Sequence, residues 1–480
     1  MKNNHFSDVF LVSGRTSGWL ICIYTLINLI VLVNALLHSP YVGYDLPEHL
    51  KNVTALSQFH LPVRGESREY YSPPLPYVIP ALAMLAGANT WWAGKVGQIV
   101  NIFLSLATTW VLLRVCDQIN PHSPRLKLFS LGLLALMPVY YKTFAQMRGE
   151  PYLTFITLLV LSLAIQVFIS GDDRFGNLLK LGLALGLAVL VRQWAFFLFP
   201  ALICAVLLLA PRHKKYWGGL SLVLAISFLV GSWFYFYLNA RYGSFLVYGL
   251  KPQPAAQIQE KLASLTGLAD GKLFSDPVRP SLGNAFIPTM YGDFWGDTHA
   301  YFLVSIQNKK SGEYMSGVQL EKWMQKTGSE LPRWISTNRY TINTYLGRVN
   351  IVSLPASLLL LGGLFYTLPL VYGFIRNPGS PGHQIPGMLS LFTLFLLSGF
   401  MLFILRYPIS KDGDILKATY LMQVYPLIAI QTAILLEKVQ NRWILRSLLV
   451  ILLLTALFDS GAMFTRYIDI PASILFFLKA

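Results

Sequence analysis

Long apolar runs separated by short polar segments make up most of the chain, and this pattern predicts a bundle of membrane-spanning helices. An α-helix needs roughly 20 predominantly apolar residues to cross the hydrocarbon core of a bilayer, and about eleven runs are long enough. The predicted spans are 19–37, 95–114, 128–144, 151–170, 177–192, 193–210, 218–239, 351–374, 386–406, 418–436 and 444–461. The apolar run 74–87 is too short to cross and begins with prolines, so we expect a re-entrant or interfacial helix there.

Composition supports the same architecture. Hydrophobic residues make up 54% of the 480 residues and charged residues only 12%, with a mean hydropathy of +0.52. A soluble globular protein carries about 25% charged residues. The predicted fold class is therefore an all-α polytopic membrane protein. The net charge of +16 would suit nucleic acid in a soluble protein, but here we expect Lys and Arg to flank the spans on one side, with no nucleic-acid partner.

The loops alternate in charge, which predicts the orientation of the chain. One set of loops shares its side with the N-terminus and carries Lys or Arg throughout; it comprises 114–127, 172–180, 211–216, 376–383 and 437–446. By the positive-inside rule this side is cytoplasmic. The outer side then holds 40–94, the loop at 148–150, 240–350, 406–417 and the C-terminal tail. We expect an inner (plasma) membrane protein whose first span is retained as an anchor.

The spans divide the chain into three parts. We expect an N-terminal transmembrane module at 1–239 with its first outer loop at 38–94, a large outer segment at 240–350, and a C-terminal transmembrane module at 351–480. The outer segment is too polar to cross a bilayer and too rich in Trp, Tyr and Phe for a disordered linker. We interpret it as an ordered outer lobe or lid that contains interfacial helices, as the first outer loop does.

The first outer loop carries the first cluster of ionisable residues, in the stretch YDLPEHL. Pro47 suits the first turn of a helix that runs to about Phe59. Asp45 then lies just before this helix, and Glu48 and His49 are close enough to share one volume with it. A carboxylate at the mouth of a span is a candidate general base for an acceptor hydroxyl. The alternative is that Asp45 caps the helix and that its neighbours are solvated.

The stretch REYYSPPLPY follows in the same loop and contains a stiff proline turn. We expect Glu69, Tyr70 and Tyr71 to line a polar pocket beside Asp45, because aromatic faces suit the apolar face of a sugar ring. The alternative is a simple re-entry of the chain into the membrane.

Other charged residues lie at the predicted outer ends of spans. Arg148 and Glu150 lie in the second outer loop, where they could contact the acceptor or simply neutralise each other. Arg192 lies within apolar sequence, where a charge is costly and needs an anionic partner or must snorkel to the interface.

A second cationic segment precedes the tenth predicted span. Lys417 lies where that helix enters the membrane and is well placed to bind a lipid phosphate as a point charge. Arg406 and Tyr420 could contribute to the same site. The alternative is ordinary anchoring at the membrane interface.

The stretch YGDFWGDTHAYF in the outer segment contains the weak metal candidates Asp293, Asp297 and His299. Their spacing matches no established metal motif, so packing of the outer lobe is the favoured interpretation. No cofactor is certain, and a divalent metal remains a candidate.

The first outer loop resembles that of bacterial GT-C glycosyltransferases, similar to the protein mannosyltransferases and the lipid A aminoarabinose transferase. The resemblance rests on D-x-P-x-H at 45–49, L-P-V at 61–63, and E-x-x-x-P-P-L-x-Y at 69–77. Many relatives read D-E-P-x-H, but Leu46 replaces the second acid here. Relatives also often have H-P-P or Q-P-P where this chain has S-P-P. The resemblance implies Asp45 as the base and leaves metal binding by an acidic pair unsupported.

The resemblance also implies a GT-C-like fold and a function. A polyprenyl-phosphate sugar would be the donor, and Lys417, Arg406, Arg192 and Tyr420 would bind its phosphate. A glycan, lipid or protein would accept the sugar with inversion on the periplasmic or extracellular side. The alternatives are a transporter or flippase, or a non-catalytic assembly protein, for lipid-linked sugars. Transporters usually place ionisable residues near the bilayer midplane, whereas these charges collect at the outer ends of spans.

Overall fold

The architecture is seen in a computed structural model. It describes residues 15–209, 215–247, 263–279, 281–283, 285–304, 306–308, 314–315, 335–337, 339–407 and 415–470. Several parts of the chain that the sequence predictions cover lie outside these residues, including most of the basic loop at 211–216 and much of the outer segment at 240–350.

Helices dominate the described residues, as the hydropathy pattern predicts, so the all-α fold class is confirmed. In chain order they are α1 Arg15–Leu37, α2 Leu46–Ser57, α3 Leu75–Leu85, α4 Thr90–Ile119, α5 Pro124–Ala135, α6 Pro138–Phe144, α7 Glu150–Ala164, α8 Phe175–Val189, α9 Leu198–Leu209, α10 Lys215–Tyr242, α11 Lys272–Ser275, α12 Phe286–Trp295, α13 Arg339–Val352, α14 Leu354–Arg376, α15 Pro381–Arg406, α16 Tyr425–Glu437 and α17 Arg442–Asp459.

A small antiparallel sheet in the outer segment is an addition that the sequence did not indicate. Its strands are β1 Ile306–Asn308, β2 Tyr314–Met315 and β3 Ile335–Thr337, in the order β2-β1-β3. Ile306 pairs with both Met315 and Thr337. The sheet is short and does not alter the helical character of the fold.

Seven helices of the described chain are long and apolar enough to cross a membrane by length and composition. They are Thr16–Leu37, Thr90–Ile119, Glu150–Ile169, Tyr216–Tyr242, Leu354–Arg376, Pro381–Arg406 and Arg442–Met463. The other four predicted spans form shorter or interrupted helices. Extended backbone at Met137 separates α5 from α6, and extended backbone at Arg192 ends the run that begins with α8. At Lys417 the backbone is also extended, and a 3-10 turn over Ala418–Leu421 leads toward α16.

The two helices of the first outer loop match the sequence prediction. Helix α3 has 11 residues, which span roughly 16 Å and are too few for a hydrocarbon core of about 30 Å. Helix α2 packs against α3 and α4. The shared apolar cluster consists of Leu46, Leu50, Val53, Tyr77, Ala81, Ala93 and Met147. This packing fixes the start of α2, where Asp45 lies.

The C-terminal tail joins the end of α1 and fixes the point where the first outer loop begins. The amide of Asp469 donates to Leu37 O at 2.9 Å, and its carboxylate accepts from Trp91 Nε1 at 2.9 Å. Lys95 is 4% exposed and donates to the last carbonyls of α1 and to His38 O. The terminal carbonyls of α1 are thereby satisfied without solvent.

Glycines allow α8 and α10 to approach closely. A side chain at Gly186 would meet Val230 Cβ at 2.7 Å, and one at Gly231 would meet Val189 Cγ2 at 2.3 Å. Small residues at such crossings let helix backbones approach in membranes. Tyr235 of α10 also donates to Val189 O at 2.6 Å, near the end of α8. The interface therefore supports the backbone that leads to Arg192.

Replacing Gly186 with Leu should separate these helices. We expect a destabilisation of about 1–3 kcal/mol from overpacking, seen as a lower thermal unfolding midpoint of the purified protein in detergent. Gly176→Leu is the matched control on the same helix, because a side chain there meets nothing within 4 Å. Equal unfolding midpoints for the two variants would contradict the close packing.

Candidate functional site

Asp45 lies at the N-terminal end of α2 in a left-handed conformation, with φ 57° and ψ 17°. Asp is among the few non-glycine residues that adopt this region readily. Its side chain makes no capping hydrogen bond to α2. The carboxylate instead accepts from Lys417 Nζ at 2.8 Å, across 372 positions of the sequence. The Asp45 side chain therefore does not cap α2, in contrast to the capping alternative.

A cleft opens beside this ion pair and collects residues from several distant parts of the chain. Its lining consists of Asp45, His49, Glu69, Tyr71, Ser72, Pro73, Arg148, Arg192, Gln193, Trp194, Phe403 and Tyr420. The Asp45 side chain is 41% exposed and the Lys417 side chain 7%. The carboxylate is therefore reachable from the cleft, while the ammonium lies deeper.

Two arginines of the cleft share one buried carboxylate. Arg148 binds Glu150 in bidentate fashion, with Nε and Nη2 at 2.8 and 2.9 Å. Arg192 Nη2 binds the same carboxylate at 2.9 Å. Arg148 and Glu150 are 1% and 0% exposed. Glu150 thus lies behind the arginines and orients both guanidinium groups.

Arg148 and Glu150 therefore neutralise each other, which is one of the two alternatives stated from the sequence. Arg192 pairs with the same carboxylate. Among the described residues, buried Arg148 Nη1, Arg192 Nε and His49 Nε2 have no hydrogen-bond partner. Buried donors without partners are costly, and they mark a place where a polar ligand could bind. Arg192 Nη1 also lies 3.9 Å from Glu69 Oε2, so two carboxylates, Glu150 and Glu69, face the two guanidinium groups at this wall.

Aromatic rings separate the cations and hold them at the cleft. Arg148 Cζ lies 5.7 Å and Lys417 Nζ 5.5 Å from the centre of the Tyr420 ring. The Tyr44 ring has Arg148 Cζ at 5.3 Å and Lys417 Nζ at 5.2 Å. Cation–π contacts of this kind stabilise a cation that is partly removed from water.

The two carboxyl groups that line the cleft differ in electrostatics. Burial would raise the pKa of Asp45, but Lys417 outweighs burial and holds that pKa well below its ordinary value. Burial and the charge of Asp45 raise the pKa of Glu69. Burial, together with Arg192 and Arg148, lowers the pKa of His49 well below its ordinary value, so this imidazole is neutral at physiological pH. Asp45 is thus the more acidic of the two carboxyl groups.

Besides Glu150 and Lys417, which lie behind the lining, three more predicted site residues lie outside the cleft. Glu48 faces away from it, where its carboxylate accepts from Lys51 Nζ at 2.9 Å and from the amide of Arg68 at 2.7 Å. Tyr70 packs its ring against Tyr242, 5.0 Å between centroids. Arg406 is exposed at the end of α15.

The weak metal candidates of the outer segment are buried but engaged with other groups. Asp297 accepts from the backbone amides of residues 301–304. Asp293 pairs with Lys142, and His299 Nε2 contacts Leu416 O at 3.1 Å. Within the described ranges no group of three or more His, Cys, Asp or Glu side chains could hold a metal ion.

The carboxylates of the cleft do not fit a metal either. Asp45 is paired with Lys417, and both oxygens of Glu69 accept hydrogen bonds, from Tyr71 at 2.9 Å and Ser72 at 2.6 Å. No step of the chemistry is therefore assigned to a metal.

Sequence reasoning missed several residues at or behind the cleft. Gln193, Trp194 and Phe403 line it but belong to apolar runs that resemble ordinary spans. Lys142 lies behind the site, 1% exposed, and pairs with Asp293. A lone lysine in the apolar run 128–144 was a usable signal, because a charge there needs a partner.

Comparison with solved structures finds two kinds of protein. The oligosaccharyltransferase of Archaeoglobus fulgidus, in its apo form, is 13% identical over 93% of this chain and 56% of its own, with a TM-score of 0.49. ArnT from Cupriavidus metallidurans, in its apo state, is 12% identical over 88% of this chain and 78% of its own, with a TM-score of 0.38. ArnT bound to undecaprenyl phosphate is 14% identical over 87% of this chain and 78% of its own, with a TM-score of 0.34.

The chain covers 56%, about half, of the length of the oligosaccharyltransferase. No family model and no curated protein matches the sequence. At this identity and TM-score the likeness assigns no activity, so function must be argued from the residues of the cleft.

Removing the shared carboxylate should destabilise the protein strongly. Glu150→Gln leaves Arg148 and Arg192 buried without their anion, and we expect a loss of about 3–5 kcal/mol, measured as a lower thermal unfolding midpoint. The control is Asp172→Asn, which breaks a pair with the exposed Arg174 and should have little effect. An unchanged midpoint for Glu150→Gln would contradict the assigned role of this carboxylate.

Proposed function

We propose that the chain is a membrane glycosyltransferase that moves a sugar from a polyprenyl-phosphate donor to an acceptor hydroxyl. The observation that carries this proposal is the ion pair of Asp45 with Lys417 at the edge of a cleft that also contains Arg148 and Arg192. A reachable carboxylate beside several cations combines a base with an anion site. Transfer from a sugar phosphate requires both functions in one place.

The reaction follows from this arrangement. The acceptor hydroxyl attacks the anomeric carbon of the donor, and Asp45 takes the hydroxyl proton. The bond from the anomeric carbon to the phosphate oxygen breaks, and polyprenyl phosphate leaves with the electron pair. Attack opposite the leaving group inverts the configuration at the anomeric carbon. The transfer needs no oxidant or reductant.

The cations are proposed to stabilise the charge that develops on the leaving phosphate. Arg148 and Arg192 offer buried nitrogens without partners at the cleft wall. Lys417 touches the base directly, so a phosphate bound beside it would share the ammonium with Asp45. As Lys417 turns toward the phosphate, its hold on the carboxylate weakens and the pKa of Asp45 rises. Donor binding would thereby make Asp45 a stronger base.

The membrane supplies the remaining part of the donor site in this proposal. The long apolar helices suit a lipid-linked substrate whose tail stays in the bilayer. The basic loops place the cleft on the side opposite the cytoplasm by the positive-inside rule. The reaction would then occur at the outer face of the inner membrane, with a glycan, lipid or protein acceptor.

A transporter or flippase for lipid-linked sugars is the main rival, and a non-catalytic assembly protein is another. The irregular backbone at Arg192 and Lys417 lies at helix ends rather than within continuous long spans. Transporters also build substrate sites from broken helices, so cleavage of the donor bond is what separates the two functions.

The direct test uses the purified chain in nanodiscs with a panel of polyprenyl-phosphate sugars and candidate acceptors. The proposed enzyme releases free polyprenyl phosphate only when donor and acceptor are both present. A flippase would instead change the leaflet of the intact donor in proteoliposomes. Donor translocation without any release of polyprenyl phosphate would overturn the proposed function.

Asp45→Asn should abolish most transfer. Loss of a general base typically costs about 10²–10⁴-fold in rate, so we expect a fall of that size in kcat at saturating donor. Glu66→Gln in the same loop is the control, because Glu66 contacts His60 and the amide of Val63 outside the cleft. Wild-type turnover by Asp45→Asn would refute the base assignment.

The pH dependence of the transfer rate should be sensitive to the contact of Lys417 with Asp45. Because Lys417 holds the pKa of Asp45 low, wild-type activity should persist into the acidic range and fall only when this carboxylate protonates. In Lys417→Met, burial acts unopposed by the ammonium, so the acidic limb of kcat/KM, which reports the free enzyme, should move to higher pH. Lys51→Met, which removes an exposed lysine paired with Glu48, should leave the limb in place. If the acidic limb of the pH–rate profile is unchanged in Lys417→Met, the limb does not arise from protonation of Asp45.

A further inference from the structure

A buried polar cluster lies directly behind the Asp45–Lys417 pair. Asp293 of α12 accepts from the Tyr44 hydroxyl at 2.5 Å through one carboxylate oxygen. Its other oxygen accepts from the amide of Ala418 at 2.6 Å. Lys142 of α6 pairs with the same carboxylate and donates to the carbonyl of Asp293 at 2.7 Å. All four residues are no more than 1% exposed.

The cluster reaches the two partners of the ion pair through their sequence neighbours. Tyr44 immediately precedes Asp45, and Ala418 immediately follows Lys417. The two oxygens of one carboxylate thus hold the two chain segments that bring the base and the ammonium together. The Tyr44 ring adds a second contact, because Lys417 Nζ lies 5.2 Å from its centre.

We propose that Asp293 and Tyr44 are positioning residues that set the distance between Asp45 and Lys417, an inference that rests on the proposed function. In this proposal Asp293 does not bind a metal, and its role goes beyond packing of the outer segment. Its place in the outer segment makes α12 part of the catalytic architecture of the transmembrane modules.

The energetics of the cluster favour a positioning role. A buried ion pair seldom stabilises a fold more than apolar residues of the same volume would, because both charges lose their hydration. The Lys142–Asp293 pair is therefore weak evidence for a purely structural role. Its geometry does provide what a reaction needs, since fixed groups lose no time or free energy in reorganising around the substrate.

The first variant is Tyr44→Phe, which removes one hydroxyl and keeps the ring against Lys417. We expect kcat to fall about 10- to 100-fold, the size of effect caused by a small misplacement of catalytic groups. The acidic limb of the pH profile should also move to higher pH, because a looser Lys417 contact depresses the pKa of Asp45 less. His49, Arg148 and Glu69 also act on Asp45 electrostatically, and Tyr44→Phe leaves all three in place.

The matched control is Tyr140→Phe. Tyr140 is also fully buried, and its hydroxyl hydrogen-bonds with Ser105 at 2.8 Å inside the bundle. We expect a similar change in unfolding midpoint from both variants, with a change in kcat and in the pH limb only for Tyr44→Phe. If both variants retain wild-type kcat and pH profile, or if both lose them equally, the positioning role is overturned.

A second variant addresses Asp293 itself. Asp293→Asn combined with Lys142→Met avoids leaving a buried ammonium without its anion. The amide oxygen can still accept from Ala418 or from Tyr44, but the amide nitrogen takes the place of the other carboxylate oxygen and cannot accept a hydrogen bond. We expect the same kcat loss and limb shift as for Tyr44→Phe, and wild-type values would overturn the role of Asp293.

A measurement without turnover separates this inference from the proposed function. Reductive ¹³C-methylation labels the lysines, and Lys417→Arg identifies the Lys417 resonance in the NMR spectrum. Asp45→Asn defines the resonance position without the ion pair, and Tyr44→Phe should move the signal toward it. A Tyr44→Phe signal at the wild-type position overturns the inference, whereas absent transfer by the wild type overturns only the proposed function.

Discussion

The ion pair of Lys417 with Asp45 joins two segments that are 372 residues apart in sequence, and it lies at the edge of the cleft. Asp45 lies at the start of α2, and Lys417 lies shortly before α16. This contact is one of several that join the two halves of the chain, which also pack together through α5 with α16 and α9 with α15. The ammonium of Lys417 also makes Asp45 the more acidic carboxyl group of the cleft.

The interrupted helices have a common physical explanation. Backbone inside a membrane protein must be hydrogen-bonded, so irregular segments are tolerated only where protein or a polar cavity surrounds them. The extended residues at Arg192 and Lys417 both lie at the cleft, and each delivers a cation to it. The shorter helices α8 and α16 are thus short because the chain leaves helical geometry to build the site.

Buried carboxylates around the cleft neutralise the buried cations beside them. Glu150 neutralises part of the Arg148–Arg192 pair, and Asp293 neutralises Lys142 behind Asp45. Each carboxylate also orients the groups that it neutralises. Such networks are sensitive to the loss of one member, because the remaining buried charge has no solvent to replace its partner. This explains why stability and the geometry of the site are expected to respond together to substitutions here.

Local sequence patterns were enough to predict the helical membrane class, the short α3, and the position of Asp45 before α2, because hydropathy, helix length and proline position act locally. They also pointed to Glu69, Tyr71, Arg148, Arg192 and Tyr420, since a charge or polar ring in an apolar chain needs a partner. Which partners meet depends on how the chain folds in three dimensions. The fold paired Lys417 with Asp45, turned Glu48 and Tyr70 away, and placed Asp293 behind the cleft. Those outcomes depend on contacts between residues far apart in the chain, which no local pattern encodes.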